Sequence, residues 1–230
     1  QSTISIVYPV DLKPGSNDAI AASVMNAVLG NSGFMARLIQ NIREDKAYTY
    51  GAYSRLSPDP LVGDFYAGAE VRNEVTDSAI VEFLYEMKRL TTEAVDAEEL
   101  QNVKNYLNGR FARSLERPQT VARFALNTAR YQLPADYYAN YLEKLQAVTA
   151  EDVMRVATTY LTPNNAHIVV VGNKDEVADK LKVFSEGGKI NYYDAFGNPV
   201  ADVSPIPEGV TSQIVIDNYL TALGGKEKLA

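Results

Sequence analysis

The chain contains no cysteine and a single histidine, His167. The first absence excludes disulfides and thiolate metal sites. Together they exclude a self-contained catalytic zinc centre, which draws on several histidines or on cysteines. Positive charge is also short: 22 Lys and Arg stand against 29 Asp and Glu, for a net charge of −7. Phosphate backbones are gripped by clustered Lys and Arg, so no nucleic-acid partner is expected. No apolar run approaches the roughly 20 residues that a membrane-spanning helix requires, so no span is expected either. The sequence has no Gly-x-Ser-x-Gly elbow, no Gly-x-x-x-x-Gly-Lys phosphate loop and no Asp-x-Asp-x-Asp-Gly calcium loop.

What is there is an ordinary globular composition, 46% apolar and 22% charged over 230 residues, long enough to bury a core. The sequence passes from Gln1 into a strand-like segment without a basic start or an apolar leader core, and so reads as cut from a longer precursor. Alternation predicts a strand over residues 3–10. Asn17 or Asp18 is placed to cap a helix with Ile20, Val24, Met25, Val28 and Leu29 on its apolar face. After a break at residues 30–33, a second helix is expected over 34–44 with Phe34, Leu38, Ile39 and Ile42 on one face. Two strands, 47–56 and 63–72, flank Ser57-Pro58-Asp59-Pro60 and are expected to pair antiparallel.

The middle is helical. One helix is expected over 76–90. Asp96 starts another, with Leu100, Val103, Leu107, Phe111 and Leu115 on its face. Pro118 opens the next in the favoured first-turn position. Pro134 ends it, and a helix follows over 135–147. Thr149-Ala150-Glu151-Asp152 has the form of a capping box. Residues 166–172 are short, apolar and β-branched, in the manner of a buried central strand.

The order of elements departs from strict βαβ alternation and predicts an α+β fold, a largely antiparallel sheet with helices on one face. Residues 1–184 form the expected main domain. Residues 185–212, rich in Gly and Pro, read as a linker with a hairpin turning at Gly197-Asn198-Pro199. Thr211 to Leu223 reads as a helix, stopped at Gly224-Gly225, and Lys226 to Ala230 as the start of a further element, so that residues 213–230 lead toward a further domain.

The candidate chemistry lies in Ile42-Arg43-Glu44-Asp45-Lys46-Ala47-Tyr48-Thr49-Tyr50-Gly51-Ala52-Tyr53-Ser54, where a helix end meets a strand start. Arg43 and Tyr50 are separated by seven positions. Taken alone, Arg43 answers the negative end of a helix and Tyr50 is a half-buried strand aromatic. In a regular strand, Tyr48, Tyr50 and Ala52 would share one face and Tyr53 would pack away from it. Arg37 reads as an arginine packing its stem at a helix–sheet junction. His167 reads as a partly buried structural residue. The acids Glu93, Asp96, Glu98 and Glu99 read as a solvated helix start.

This run, with Leu29-Gly30-Asn31-Ser32-Gly33-Phe34-Met35-Ala36-Arg37-Leu38-Ile39 before it, resembles the C-terminal half-domain of M16 zinc peptidases. That family includes insulin-degrading enzyme, pitrilysin and the mitochondrial processing peptidase. Its halves carry a Leu-Gly-Gly…Ser-Arg-Leu-Phe stretch and then Leu-Arg-Glu-Lys-x-Gly-x-x-Tyr. The resemblance implies one of two similar halves around a peptide chamber. One half bears the zinc motif His-x-x-Glu-His; the other lacks it and presents an arginine and a tyrosine to the peptide substrate. Those positions here are Arg43 and Tyr50. Tyr48, which departs from the residues usual at its place, is an alternative tyrosine. Gly51 would leave the strand edge open to a peptide, as in strand addition.

The resemblance further implies that zinc resides in a partner half, in the same precursor or in a separate subunit, and that this chain binds no metal and is inactive alone. A catalytically inactive module for peptide binding or complex assembly is the alternative. A periplasmic or exported bacterial location is implied by the M16-like chains with such extensions.

Overall fold

The computed structural model describes residues 1–200, 209–222 and 224. The chain divides into two compact units, Gln1–Leu181 and Lys182–Ala230.

The first unit is built on a four-stranded antiparallel sheet. Its strands are β1 (Ser2–Val10), β2 (Thr49–Ser57), β3 (Gly63–Val71) and β4 (His167–Val171), in the order β2-β3-β1-β4. Pairing runs Ile4↔Ala69, Ile6↔Ala67 and Tyr8↔Phe65 between β1 and β3, and Ile4↔Val170 between β1 and β4. Period-two alternation therefore gathers Ile4, Ile6, Tyr8, Val10, Phe65, Ala67 and Val71 on one buried face. The other face carries Ser5, Tyr53, Arg55, Asp64 and Tyr66. Tyr53 stacks on Tyr66 at 5.4 Å, and Arg55 pairs with Asp64 at 2.8 Å.

The helices are α1 (Ala19–Asn26), α2 (Thr76–Thr92), α3 (Ala97–Ser114), α4 (Pro118–Arg130), α5 (Tyr141–Ala147), α6 (Ala150–Tyr160) and α7 (Lys174–Leu181). The core closes over the sheet with Val24 and Met25 of α1, Ile80, Phe83 and Met87 of α2, Val103 of α3, and Val153 and Val156 of α6, all buried. The fold is α+β, as the order of elements predicts.

Several starts and stops follow the sequence. Asp96 caps α3, its carboxylate accepting from the Glu98 and Glu99 N–H groups. Pro118 opens α4. Thr149 and Asp152 close a reciprocal capping box at α6. Other expectations are corrected. Asp18 precedes α1, but its carboxylate makes no cap; it accepts instead from Arg155 at 2.7 Å and the Tyr160 hydroxyl at 3.0 Å, fastening α1 to α6. After Pro134 the chain makes turns, and α5 starts only at Tyr141. β4 is an edge strand with alternate residues exposed, because β1 is already paired on its other side by β3. A run of β-branched residues alone cannot tell a central position from an edge.

The second unit contains a hairpin, β5 (Tyr192–Tyr193) with β6 (Pro199–Val200), and a helix, α8 (Ser212–Ala222). The Asp194 carboxylate accepts from the Phe196 and Asn198 N–H groups, both at 2.8 Å, across a turn with Gly197 at φ +80°. The expected element at residues 226–230, and Leu223 and Gly225 of the expected helix end, lie outside the described residues.

Candidate functional site

The Arg43–Gly51 region is positioned by a close approach of helix to strand. After α1 the chain widens into a π-helical segment, Ala27–Asn31, which lies on β2. A Cβ on Gly30 would fall 2.4 Å from the Ser54 backbone nitrogen, so only glycine permits this contact. Buried Ser54 donates to the Asn26 side-chain carbonyl at 2.8 Å and locks the pair. The expected helix over 34–44 is replaced by a 3₁₀ turn, Gly33–Met35, and a second π-helical segment, Ile39–Asp45. Leu38 and Ile42 are in the core as their spacing predicts, but Phe34 is 65% exposed. Gly33, at φ +63°, breaks the helical register and turns Phe34 out.

The second segment ends at Ala47, which takes the left-handed conformation (φ +52°). Its N–H donates to the Arg43 carbonyl at 3.0 Å, and its carbonyl accepts from the Arg72 guanidinium at 3.0 Å. The strand therefore starts at Thr49, two residues later than expected.

It starts with a β-bulge. Register passes from Thr49↔Val71 to Ala52↔Ala69, so Tyr50 and Gly51 together oppose Glu70 alone. The Thr49 hydroxyl bridges the gap, donating to the Glu70 carbonyl at 2.6 Å and accepting from the Gly51 N–H at 3.1 Å. The extra residue resets the alternation. Ala52 is buried at 2% exposure while Tyr50 stands 95% exposed, so the expected shared face of Tyr48, Tyr50 and Ala52 does not form. Tyr53 lies exposed on the open sheet face beside Tyr66.

Arg43, half-buried, places its guanidinium carbon 4.8 Å from the centroid of the Phe34 ring, and its Nε lies 3.3 Å from the Glu44 carboxylate. Tyr48 is half-buried and Gly51 exposed. The structure thus brings Arg43, Tyr48, Tyr50 and Gly51 onto one short connection, with the π-helical segment packed on β2. Among the described residues no hydrogen bond or ring contact joins Arg43 to either tyrosine. Nor, among the described residues, does the Tyr50 side chain make a hydrogen bond.

Beside this connection lies an open groove of about 600 Å³, lined in part by Arg37, Asn41, Lys46, Glu82 and Glu86. Arg37 is 7% exposed and forms a two-pronged pair with Glu99, Nε to Oε1 at 2.8 Å and Nη2 to Oε2 at 2.7 Å. The Asn41 amide donates to Glu82 and to Glu86. Lys46 pairs with Glu82 at 3.2 Å, and that hydrogen bond raises the Lys46 pKa. Arg37 is corrected from a helix–sheet junction residue to one tied to the first turn of α3, and Glu99 is corrected with it: it belongs to the Arg37 pair and is not merely solvated.

His167 is also corrected, from partly buried to exposed on β4. Four features escaped sequence reasoning: the Arg37–Glu99 pair, the Thr49 bridge, the bulge and the Phe34–Arg43 contact. The Ser32-Gly33 break just before Phe34 was the one available signal for the last.

The donor set of this chain does not fit a catalytic zinc ion. Its lone histidine is isolated on an edge strand, and among the described residues no group of three His, Asp or Glu side chains could hold a metal. No helix among them is long and apolar enough to cross a membrane.

The described residues thus form an α+β domain with Arg43, Tyr48 and Tyr50 near a helix-to-strand junction and no group of three possible metal ligands. Residues 1–107, a little under half of the chain, match the family model described as the peptidase M16 inactive domain. Solved structures share the fold. One is the peptidase M16 inactive domain from Pseudomonas fluorescens (24% identity, TM-score 0.66), aligned over 74% of this chain and 41% of that one. A second is the periplasmic protease PqqL from Escherichia coli (20%, TM-score 0.61; 74% and 19%). A third is complex III2 from Candida albicans (17%, TM-score 0.61; 76% and 43%). The chain therefore spans about two-fifths of the length of the Pseudomonas relative. No match was found among curated proteins.

Proposed function

We propose that this chain is the substrate-holding, zinc-free half of an M16-type zinc endopeptidase, completing the peptide chamber of a half that carries His-x-x-Glu-His. The observation that carries the reading is Tyr50. It stands almost wholly exposed and, among the described residues, without a hydrogen-bond partner, on a bulge seven positions after Arg43, inside the segment that matches the M16 inactive domain. A bulge re-aims a side chain that a regular strand would have placed with Ala52.

Peptide-bond hydrolysis develops negative charge on the carbonyl oxygen. A phenol O–H and a guanidinium are donors suited to that oxygen or to neighbouring backbone carbonyls, and the planar guanidinium fork offers several N–H groups in fixed directions. Gly51, exposed at the edge of β2, leaves the backbone approachable by an extended peptide. Zinc and the general-base glutamate belong to the partner half, in the same polypeptide or a separate subunit. The periplasm is the proposed location, by analogy with PqqL.

The second reading is an inactive module for assembly or peptide binding. The likeness to a component of complex III2 favours it. The two readings part in one experiment. The chain is used as bait in a lysate of its source organism, and the captured complex is assayed for cleavage of a quenched peptide with and without a zinc chelator. Chelator-sensitive cleavage that falls by about 10²–10³ with an Arg43→Ala or Tyr50→Phe bait is the expected result, the range seen for loss of one oxyanion donor. A captured complex without cleavage, or cleavage indifferent to both changes, assigns the chain to the second reading.

A further inference from the structure

The apolar spacing of the sequence places Phe34 on the core face of a helix, yet the structure turns it outward. Its backbone is fixed there. Ser32, 2% exposed, donates from its hydroxyl to the Ala27 carbonyl at 2.8 Å. The Ala36 N–H donates to the Gly33 carbonyl at 3.1 Å, and the Gln40 amide donates to the Phe34 carbonyl at 2.5 Å. An aromatic ring is thus held out of the core on an anchored turn, and the group lying over it is the Arg43 guanidinium, 4.8 Å from its centroid.

We propose that Phe34 is the positioning residue of Arg43. The ring attracts the cation through its electron-rich face, within the ~6 Å over which such contacts act. The guanidinium is a planar fork of N–H donors, and seating it over a ring limits the directions in which those donors can point. A free arginine side chain loses much rotamer freedom when it grips a ligand; one already seated on a ring loses less. Glu44, 3.3 Å from Nε, is the second neighbour, and half its side chain is in water. What Arg43 is positioned for rests on the proposed grip on peptide; that Phe34 positions it does not.

Two measurements on the full chain separate these statements. The first records the Arg43 Nε–Hε signal by ¹⁵N NMR, assigned through Arg43→Lys. The expected result is an upfield ring-current shift in the native chain, lost in Phe34→Leu and retained in Phe34→Tyr. Leucine keeps apolar bulk without a π face, and because Phe34 is largely exposed neither change removes core packing. An Arg43 signal unchanged by Phe34→Leu, or displaced equally by Phe34→Tyr, overturns the proposal.

The second measurement is the affinity for fluorescently labelled, unfolded β-casein. A loss of about 2- to 5-fold with Phe34→Leu, rescued by Phe34→Tyr, is expected from the strength of an exposed cation–aromatic contact. Loss of the ring-current shift without any change in affinity upholds the positioning and counts against the peptide grip.

Discussion

Arg37 and Gly30 show how two residues of the same sequence segment act by unrelated physics. Arg37 is nearly buried and its charge is answered by Glu99, a quarter of whose side chain is in water. Removing the arginine leaves a carboxylate facing a void lined by polar atoms. Breaking a buried pair costs about 3–5 kcal/mol, and the wetter partner places Arg37→Ala near the low end of that range. Urea unfolding checks this; a loss well under 1 kcal/mol would mean that water replaces the guanidinium without penalty. Gly30 acts through absence. Its missing Cβ lets the π-helical turn rest on the Ser54 backbone, and the obstructing atom is main chain that cannot rotate away. Gly30→Ala is expected to destabilise by about 1–3 kcal/mol, the usual price of overpacking. Equal stability of the variant would show that the turn can lift from β2. A Gly beside a Leu in the sequence signals such a contact only to a reader who already expects a close approach. An Arg and a Glu 62 residues apart give no local sign of their pairing.

Elements with local causes were legible. Thr149-Ala150-Glu151-Asp152, Asp96 and Pro118 start helices through contacts made within a few residues, so short-range chemistry decides them. Elements fixed by distant partners were not. Asp18 has the residue type of a cap, but Arg155 and Tyr160 claim its carboxylate. Residues 166–172 have the composition of a central strand and sit at an edge because β3 occupies the inner place. The bulge at Tyr50–Gly51 depends on pairing with β3 and inverts the facing of every residue before it; alternation alone could not reveal it.

The cap at α6 also carries a pH dependence. The Thr149 backbone N–H, then its hydroxyl, hold the Asp152 carboxyl below its ordinary value of 3.8. A depressed carboxyl contributes stability that is present above that ordinary value and is lost as pH falls below it. Thr149→Ala is expected to lose about 1 kcal/mol near neutral pH. The difference in stability between native chain and Asp152→Asn should narrow as the pH is taken down to about 3 and beyond, through the ordinary carboxylate range. A difference constant with pH would mean that the ionised carboxylate contributes nothing to the cap.

For the whole molecule, the fold class and the family match of residues 1–107 were both open to inference, because the Leu29-to-Tyr50 motif carries geometry as well as chemistry. The glycine permits the approach of helix to strand, the buried arginine ties the segment to α3, and the second arginine and the tyrosine project from the result. On the proposed reading the activity is divided between two unlike halves, and among the described residues no group of three His, Asp or Glu side chains could hold the ion. A bound ligand stabilises the folded state in proportion to the logarithm of its concentration over Kd. Zinc should therefore leave the Tm of this chain unchanged across micromolar concentrations, and a chelator should leave it unchanged as well. The captured complex should behave differently: its peptide cleavage should fall with chelator and return with zinc, while the Tm of the isolated chain stays where it was. A Tm that climbs with zinc concentration would mean that carboxylates and His167 assemble a site that the fold keeps apart, and would return the catalytic centre to this half.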